Sequence, residues 1–269
     1  MTPDPADLFV ARCESLARQY LGSEYQLDQT GQHHLVILNN DLALRFPRKT
    51  DTAKRVAEIS DRFHRATQLG IPTPNVVDLR TGPPGEAVVV LQRRHGISAG
   101  QLLSQAGDPV LQRMGESLGQ ILIALRCVSG SDWPFESPRW RTLWSDLASK
   151  AHERPQPERE WVAAADHAAE VAAVCPLGLV HGDLANVNVL FSDSGAVNAV
   201  LDWDHAVIGD PAIDAAAVMF GLPTAAREAA LAQSSTLGDD VARFEVYQET
   251  WALQEHLWRT GATSNPGQS

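Results

Sequence analysis

Cysteine is scarce in this chain: Cys13, Cys127 and Cys175 are the three among 269 residues. They are odd in number, scattered and without zinc-ligand spacing. That excludes a disulfide framework and a cysteine-based zinc site, and points to a reducing compartment. Long apolar runs are also missing, and none approaches the roughly 20 residues that span a bilayer. The opening MTPDPADLF is acidic and lacks a basic stretch followed by an apolar one, so the expectation is a soluble cytoplasmic protein with no membrane partner. Positive charge is in short supply, with 22 Lys+Arg against 33 Asp+Glu and a net charge of −11. The deficit is uneven: residues 1–96 carry 11 acids and 12 bases, whereas 97–269 carry 22 and 10. So acidic a second half repels phosphate backbones and argues against a nucleic-acid partner. It would attract a cationic small molecule, unless the surplus serves solubility alone.

What is present fits a globular protein. Hydrophobic residues make up 44%, and the length allows one large domain or two lobes. Residues 6–20 place Phe9, Val10, Cys13, Leu16 and Tyr20 at helical spacing. The stretch 25–48 reads as strand, turn, strand, Asn-Asn turn, strand, with a single glycine, Gly31, in the first turn and Arg45 on the last strand. Residues 51–69 are helical, with Val56, Ile59, Phe63, Ala66 and Leu69 as the core face and Glu58 beside that stripe. GIPTP closes that helix, and EAVVVLQRR (86–94) reads as a buried strand ending in polar residues. Beyond Gly96 the pattern turns helical: one or two helices over 98–128, a turn-rich 129–140, a proline-broken exposed connection at 151–161 and an alanine-rich helix at 161–175. A last helix is expected over 239–260, with Trp251, Glu255 and Trp258 on one stripe, and TSNPGQS reads as a tail.

The stretch from His181 to Asp214, HGDLANVNVLFSDSGAVNAVLDWDHAVIGDPAID, concentrates the chemistry. Asp183 and Asn188 sit in H-G-D-x4-N, a pattern expected by chance in on the order of one chain in a thousand. NVLF reads as a strand, SDSG as a turn, and the apolar run in VNAVLDWD as a second strand with Asp202 at its end. A loop, a hairpin and an acid at a strand end suit phosphoryl transfer. One carboxylate takes or orients a hydroxyl proton, while an amide oxygen and a second carboxylate hold Mg²⁺ against nucleotide phosphates. Asp204 is expected on the same side of an extended segment as Asp202. It could face substrate, a metal-bound water or the next turn. Asp210 and Asp214 follow a Gly-Asp-Pro turn, where carboxylates cap a helix starting near Ile213 and accept bonds from the loop.

These motifs resemble the protein-kinase catalytic set, with HGD in place of HRD and DWD in place of DFG. HGD followed by G-D-P-x-x-D is similar to the aminoglycoside-phosphotransferase family of small-molecule kinases. Within it the G-Q-x-H-x-V turn, V-H-G-D-L…N-V-L and D-W-D…I-G-D-P-A-x-D patterns come nearest to the viomycin and capreomycin phosphotransferases. The resemblance implies an α+β, bilobal, protein-kinase-like fold. It would have a small lobe over 1–91 (an antiparallel sheet with one main helix), a hinge at 92–96 and a larger, mostly helical lobe over 97–269.

The resemblance also implies roles. Asp183 would be the catalytic base or the acid orienting the hydroxyl, with His181, Asp210 and Asp214 in structural support. Asn188 and Asp202 would hold Mg²⁺. Gly31, Arg45, Glu58, Leu91 and Gln92 would serve the nucleotide, ATP or GTP: Gly31 in a glycine-poor phosphate loop, Arg45 in place of the usual lysine, Glu58 as its partner, Leu91 and Gln92 near the adenine. Arginine keeps the charge but changes the donor geometry. Asp204, Trp251, Glu255 and Trp258 are candidates for substrate contact, the tryptophans equally for core. The implied activity is antibiotic kinase, on a hydroxyl of a basic cyclic peptide or an aminoglycoside. The alternatives are a kinase for a macrolide or a metabolite such as choline, homoserine or a sugar, and a pseudokinase acting as a binding module.

Overall fold

The computed structural model describes residues 4–28, 33–49, 55–135, 138–153, 159–184, 187–219, 221–240, 242–243 and 245–247. The chain divides into two compact units, Met1–Gly96 with Asn198–Asp204, and Ile97–Val197 with His205–Ser269. The segment carrying Asp202 therefore groups with the first unit and not with its sequence neighbours.

The first unit opens with α1 (Pro5–Leu21), started by Asp4, whose carboxylate accepts from the Ala6 amide at 2.9 Å. Five antiparallel strands follow: β1 (Gln26–Asp28), β2 (His34–Leu38), β3 (Leu42–Pro47), β4 (Val76–Arg80) and β5 (Val88–Gln92), in the order β1-β2-β3-β5-β4. The β2–β3 turn is set by Asn39, whose side-chain oxygen accepts from the amides of Asp41 and Leu42, both at 2.9 Å. Strand alternation puts Leu35, Ile37, Leu44, Phe46, Val88 and Val90 into one core with Cys13, Leu16, Ala17 and Leu21 of α1. The opposite parity carries His34 and Arg45, both buried. Between the third and fourth strands lies α2 (Val56–Gln68), which buries Val56, Ile59, Phe63 and Ala66 at helical spacing. Strand β4 has no strong sequence signal, because its burial is irregular and prolines flank it on both sides.

The second unit is mostly helical. α3 (Ala99–Gln105) begins with a reciprocal cap between Ser98 and Gln101, and α4 (Asp108–Arg126) follows after a break at Ala106 and Gly107. α5 (Pro138–His152) and α6 (Arg159–Val174) share a core of Trp144, Leu147, Ala148, Ala151, Ala165 and Ala168, joined by Ala212 and Tyr247. β6 (Ile97–Ser98) pairs antiparallel with β8 (Val189–Phe191), and β7 (Gly178–Val180) with β10 (Val207–Gly209). Strands of two or three residues are too short to leave a periodic signal, so β6, β7 and β10 were not anticipated. β9 (Val197–Val200) takes the chain from the second unit back into the first, toward Asp202. α7 (Ala212–Met219) and α8 (Thr224–Leu231) follow, and residues 235–240, 242–243 and 245–247 are helical. Gly115 and Gly119 on α4 let α8 approach, since a Cβ at either would overlap the carbonyl oxygen of Ala226 or Ala230. The fold is α+β. Among the described residues no helix is long and apolar enough to cross a membrane.

Candidate active site

The H-G-D loop leaves β7 in the second unit and is held from below. Asp214, buried on α7, accepts from the His181 amide at 2.5 Å and the Gly182 amide at 3.1 Å. Gly182 has φ 81°, and a Cβ there would come within 3.0 Å of the His205 carbonyl oxygen, so the loop needs glycine at this point. The buried His181 ring accepts from the Asp183 amide through Nδ1 at 3.3 Å. These bonds leave the Asp183 side chain exposed. Asn188 then reaches back, its Nδ2 donating to the Asp183 carbonyl at 2.8 Å and to Asp183 Oδ2 at 2.9 Å.

Asp214 is itself anchored through the turn before its helix. Asp210 is fully buried; its Oδ1 accepts from the Ala212 amide at 2.9 Å and so starts α7. Arg243 grips Asp210 with a two-pronged pair at 3.0 and 3.1 Å, and the Tyr247 hydroxyl donates to it at 2.8 Å. Arg243 and Arg126 both also bind Asp240. Tyr247 stacks on Trp144 with ring centroids 4.7 Å apart. Burial pushes the Asp214 carboxyl up to about 7, against the pull of the two loop amides.

The first unit carries a second cluster. Asp202 has φ 59°, the one non-glycine residue with a left-handed backbone among those described. Arg45 Nη2 donates to Asp202 Oδ1 at 2.9 Å, and Nη1 to Asp204 Oδ1 at 3.1 Å. His34 lies beside them, its Nδ1 3.2 Å from Arg45 Nη2 and its Nε2 3.5 Å from Asp204 Oδ2. Guanidinium can only donate, so Nδ1 accepts and Nε2 carries the proton toward Asp204. Burial opposes the charge on Arg45, but the two carboxylates outweigh it and hold the group firmly protonated. Burial pushes Asp204 up to about 7; Arg45 pulls it back and the charge on Asp202 adds to the push.

Three expectations change here. The segment after β9 is not extended: Asp202 turns left-handed and Trp203–His205 forms a 3₁₀ turn. Asp204 reaches the same guanidinium as Asp202 through that turn, with a side chain only 12% exposed. Arg45 does not pair with Glu58 among the described residues. Glu58 instead binds Arg62, one helical turn on, at 2.6 Å, and Arg55 at 3.7 Å. Helix α2 touches Arg45 through Phe63, whose ring centroid lies 5.7 Å from the guanidinium carbon.

Leu91 is buried at the end of β5, and Gln92 is exposed, with its side chain accepting from Asn75 at 3.0 Å. The next residues are tied to the same unit: the Arg93 amide donates to Asp41 at 2.7 Å, and Arg94 donates to the Thr73 carbonyl at 3.0 Å. Gly31, Trp251, Glu255 and Trp258 lie outside the described residues. Sequence reasoning missed His34 and Arg62. His34 was findable once Val36 and Arg45 are taken as a cross-strand pair, because the side chain two residues along shares that face.

Each unit offers a side-chain oxygen that suits a hard cation. Asp202 offers a carboxylate that is 34% exposed, and the bonds from Asn188 Nδ2 leave its amide oxygen as the remaining acceptor of that side chain. Both are oxygen ligands of the kind Mg²⁺ takes. Among the described residues no group of three or more His, Cys, Asp or Glu side chains forms a metal cluster.

Comparison with known proteins completes the picture. The macrolide 2'-phosphotransferase MphH from Brachybacterium faecium matches with a TM-score of 0.71 at 19% identity, over 95% of this chain and 94% of that one. The GDP complex of aminoglycoside 2'-phosphotransferase-IIIa matches with a TM-score of 0.72 at 15% identity, over 91% of each chain. At such identities the likeness establishes a shared, protein-kinase-like fold. In sequence, the chain is 26% identical over 190 residues to hygromycin-B 4-O-kinase of Escherichia coli, a match that covers 63% of this chain and 55% of that relative's length. The family model described as the phosphotransferase enzyme family matches residues 14–262, and the chain belongs to that family.

Proposed function

We propose that the protein is an antibiotic kinase, transferring the terminal phosphate of ATP or GTP to a hydroxyl of a cationic antibiotic. The substrate class is a tuberactinomycin peptide such as capreomycin or viomycin, or an aminoglycoside. The observation that carries this reading is the exposed Asp183, on a loop braced by Asp214 and bonded by Asn188. In the proposed reaction Asp183 orients the hydroxyl and receives its proton. Loose phosphoryl-transfer transition states ask more of positioning than of base strength. Mg²⁺, when bound, would neutralise phosphate charge, with Asn188 and Asp202 as the residues to hold it. Arg45 would meet the nucleotide phosphates. The deficit of 10 bases against 22 acids in residues 97–269 supports a cationic acceptor.

A macrolide acceptor is a second reading, favoured by the match to a macrolide 2'-phosphotransferase, which is as good as that to the aminoglycoside enzyme. A coupled phosphotransfer assay with ATP and with GTP separates them. The panel holds capreomycin, viomycin, several aminoglycosides, hygromycin B and a macrolide. Turnover with the basic drugs supports the charge argument, and turnover with the macrolide alone overturns it. Nucleotide binding with no turnover on any drug would leave a metabolite hydroxyl or a non-catalytic binding role.

A further inference from the structure

The helix facing the Asp202 cluster does not use its acid as the family resemblance implies. Glu58 is occupied by Arg62 at 2.6 Å, and Arg62 is buried, its side chain 5% exposed. A guanidinium there needs partners, and it has them in the backbone of the Asp202 turn. Arg62 Nη1 donates to the Asp204 carbonyl at 2.5 Å and makes a longer contact of 3.5 Å with the Trp203 carbonyl. Trp203 is in turn fully buried, with its indole Nε1 donating to Thr73 Oγ1 at 2.8 Å and to the Val200 carbonyl at 3.2 Å. The Val200 amide donates to the Pro72 carbonyl at 2.7 Å. Every one of these groups belongs to the first unit.

We propose that Arg62 is a positioning residue for Asp202: its guanidinium, held by Glu58, clamps the carbonyls of Trp203 and Asp204 and so fixes the left-handed backbone from which the Asp202 carboxylate is presented. Glu58 acts one step further back, by orienting Arg62. This rests on the kinase reading for its functional meaning, though the clamp is a property of the first unit alone. A planar fork reaches the Glu58 carboxylate through Nη2 and the two carbonyls through Nη1 in one fixed geometry, whereas an ammonium is a point donor on a flexible stem. Arg62→Lys therefore keeps the ion pair with Glu58 and loses the clamp.

The test measures the affinity of a fluorescent ATP analogue in Mg²⁺ and in EDTA for the full chain, Arg62→Met and Arg62→Lys. In parallel, the Trp203 indole N–H resonance is followed without nucleotide, identified by its loss in Trp203→Phe. The expected result is that both variants weaken Mg²⁺-dependent affinity by about tenfold or more, the usual cost of losing a group that orients a metal ligand. Affinity in EDTA stays unchanged, and the Trp203 resonance shifts in both. Restoration of affinity and resonance by lysine would overturn the proposal, because charge toward Glu58 would then suffice. Equal losses with and without Mg²⁺, or a Trp203 resonance that stays in place, would also overturn it. If Arg62→Met does not fold, Arg62→Lys alone decides. Wild-type protein that binds no nucleotide would sink the kinase reading, and the clamp would then stand or fall on the Trp203 resonance.

Discussion

Arg45 and Asp202 meet at 2.9 Å, and the same guanidinium reaches Asp204 at 3.1 Å, so a single buried cation holds two carboxylates together. Arg45→Met would leave those acids facing each other without the guanidinium between them. Removing one partner of a buried ionic cluster costs about 3 kcal/mol or more. The expected outcome is a marked drop in the denaturant midpoint, with a raised KM for nucleotide. Arg45→Lys should recover part of the stability, because it keeps the charge but cannot fork to both acids and His34. Glu58→Gln should affect nucleotide KM less than either, since Glu58 contacts Arg62 and not Arg45.

Asp183→Asn tests the hydroxyl-orienting role. Asparagine keeps the size and can still bond Asn188, so the loop should hold. Transfer is expected to fall by about 10²–10⁴-fold, the range for losing a positioned acid–base group. Nucleotide affinity, measured directly, should remain near wild type. Wild-type turnover in this variant would remove Asp183 from the chemistry.

Stability should fall as pH rises through neutrality. The Asp214 carboxyl is raised from an ordinary 3.8 to about 7 in the folded protein. Between those values the folded state keeps a proton that the unfolded state has lost, so stability is greatest at the acid end and is lost as pH climbs through about 7. Asp204 shifts in the same direction. Thermal unfolding at pH 5.5 and at pH 8 checks this, and Asp214→Asn should flatten the difference. A Tm that rises across that interval would contradict the assignment.

Gly115→Ala probes the packing of α4 on α8. A Cβ at Gly115 would overlap the Ala226 carbonyl, which is backbone and cannot rotate away. Overpacking of this kind costs about 1–3 kcal/mol. Gly100→Ala is the control, since nothing lies within 4 Å of a Cβ there. The variant should unfold at lower denaturant while the control holds or gains slightly.

Much of the fold was legible in the sequence, and the reasons are local. The β2–β3 hairpin announces itself through Asn39 and the alternation of Leu35, Ile37, Leu44 and Phe46, and α2 through its Val56–Ile59–Phe63–Ala66 stripe. The two-residue strand β6 and the three-residue strands β7 and β10 pair over long sequence distances and leave no periodic trace. In the site, Asp183 and Asn188 stood out because their bond forms within one loop, so spacing alone marks it. The partner of Glu58 was misread although a competing signal was present: glutamate four residues before arginine on a helix is a favoured pair, and Glu58–Arg62 has that spacing. His34 escaped notice because its role depends on which strand face it shares with Arg45. The turn after β9 was read as extended because nothing in LDWD signals φ 59° at Asp202.

That backbone angle has a consequence for how position 202 would behave in a mutational library. Left-handed φ costs most residues roughly 1 kcal/mol or more and is easiest for glycine and asparagine. A screen for folded protein would therefore weigh Gly and Asn at 202, which relax the turn, against the lost charge facing Arg45. A screen for phosphotransfer would retain Asp, whose carboxylate is the oxygen proposed to hold the metal. The two selections would read the same codon through different chemistry.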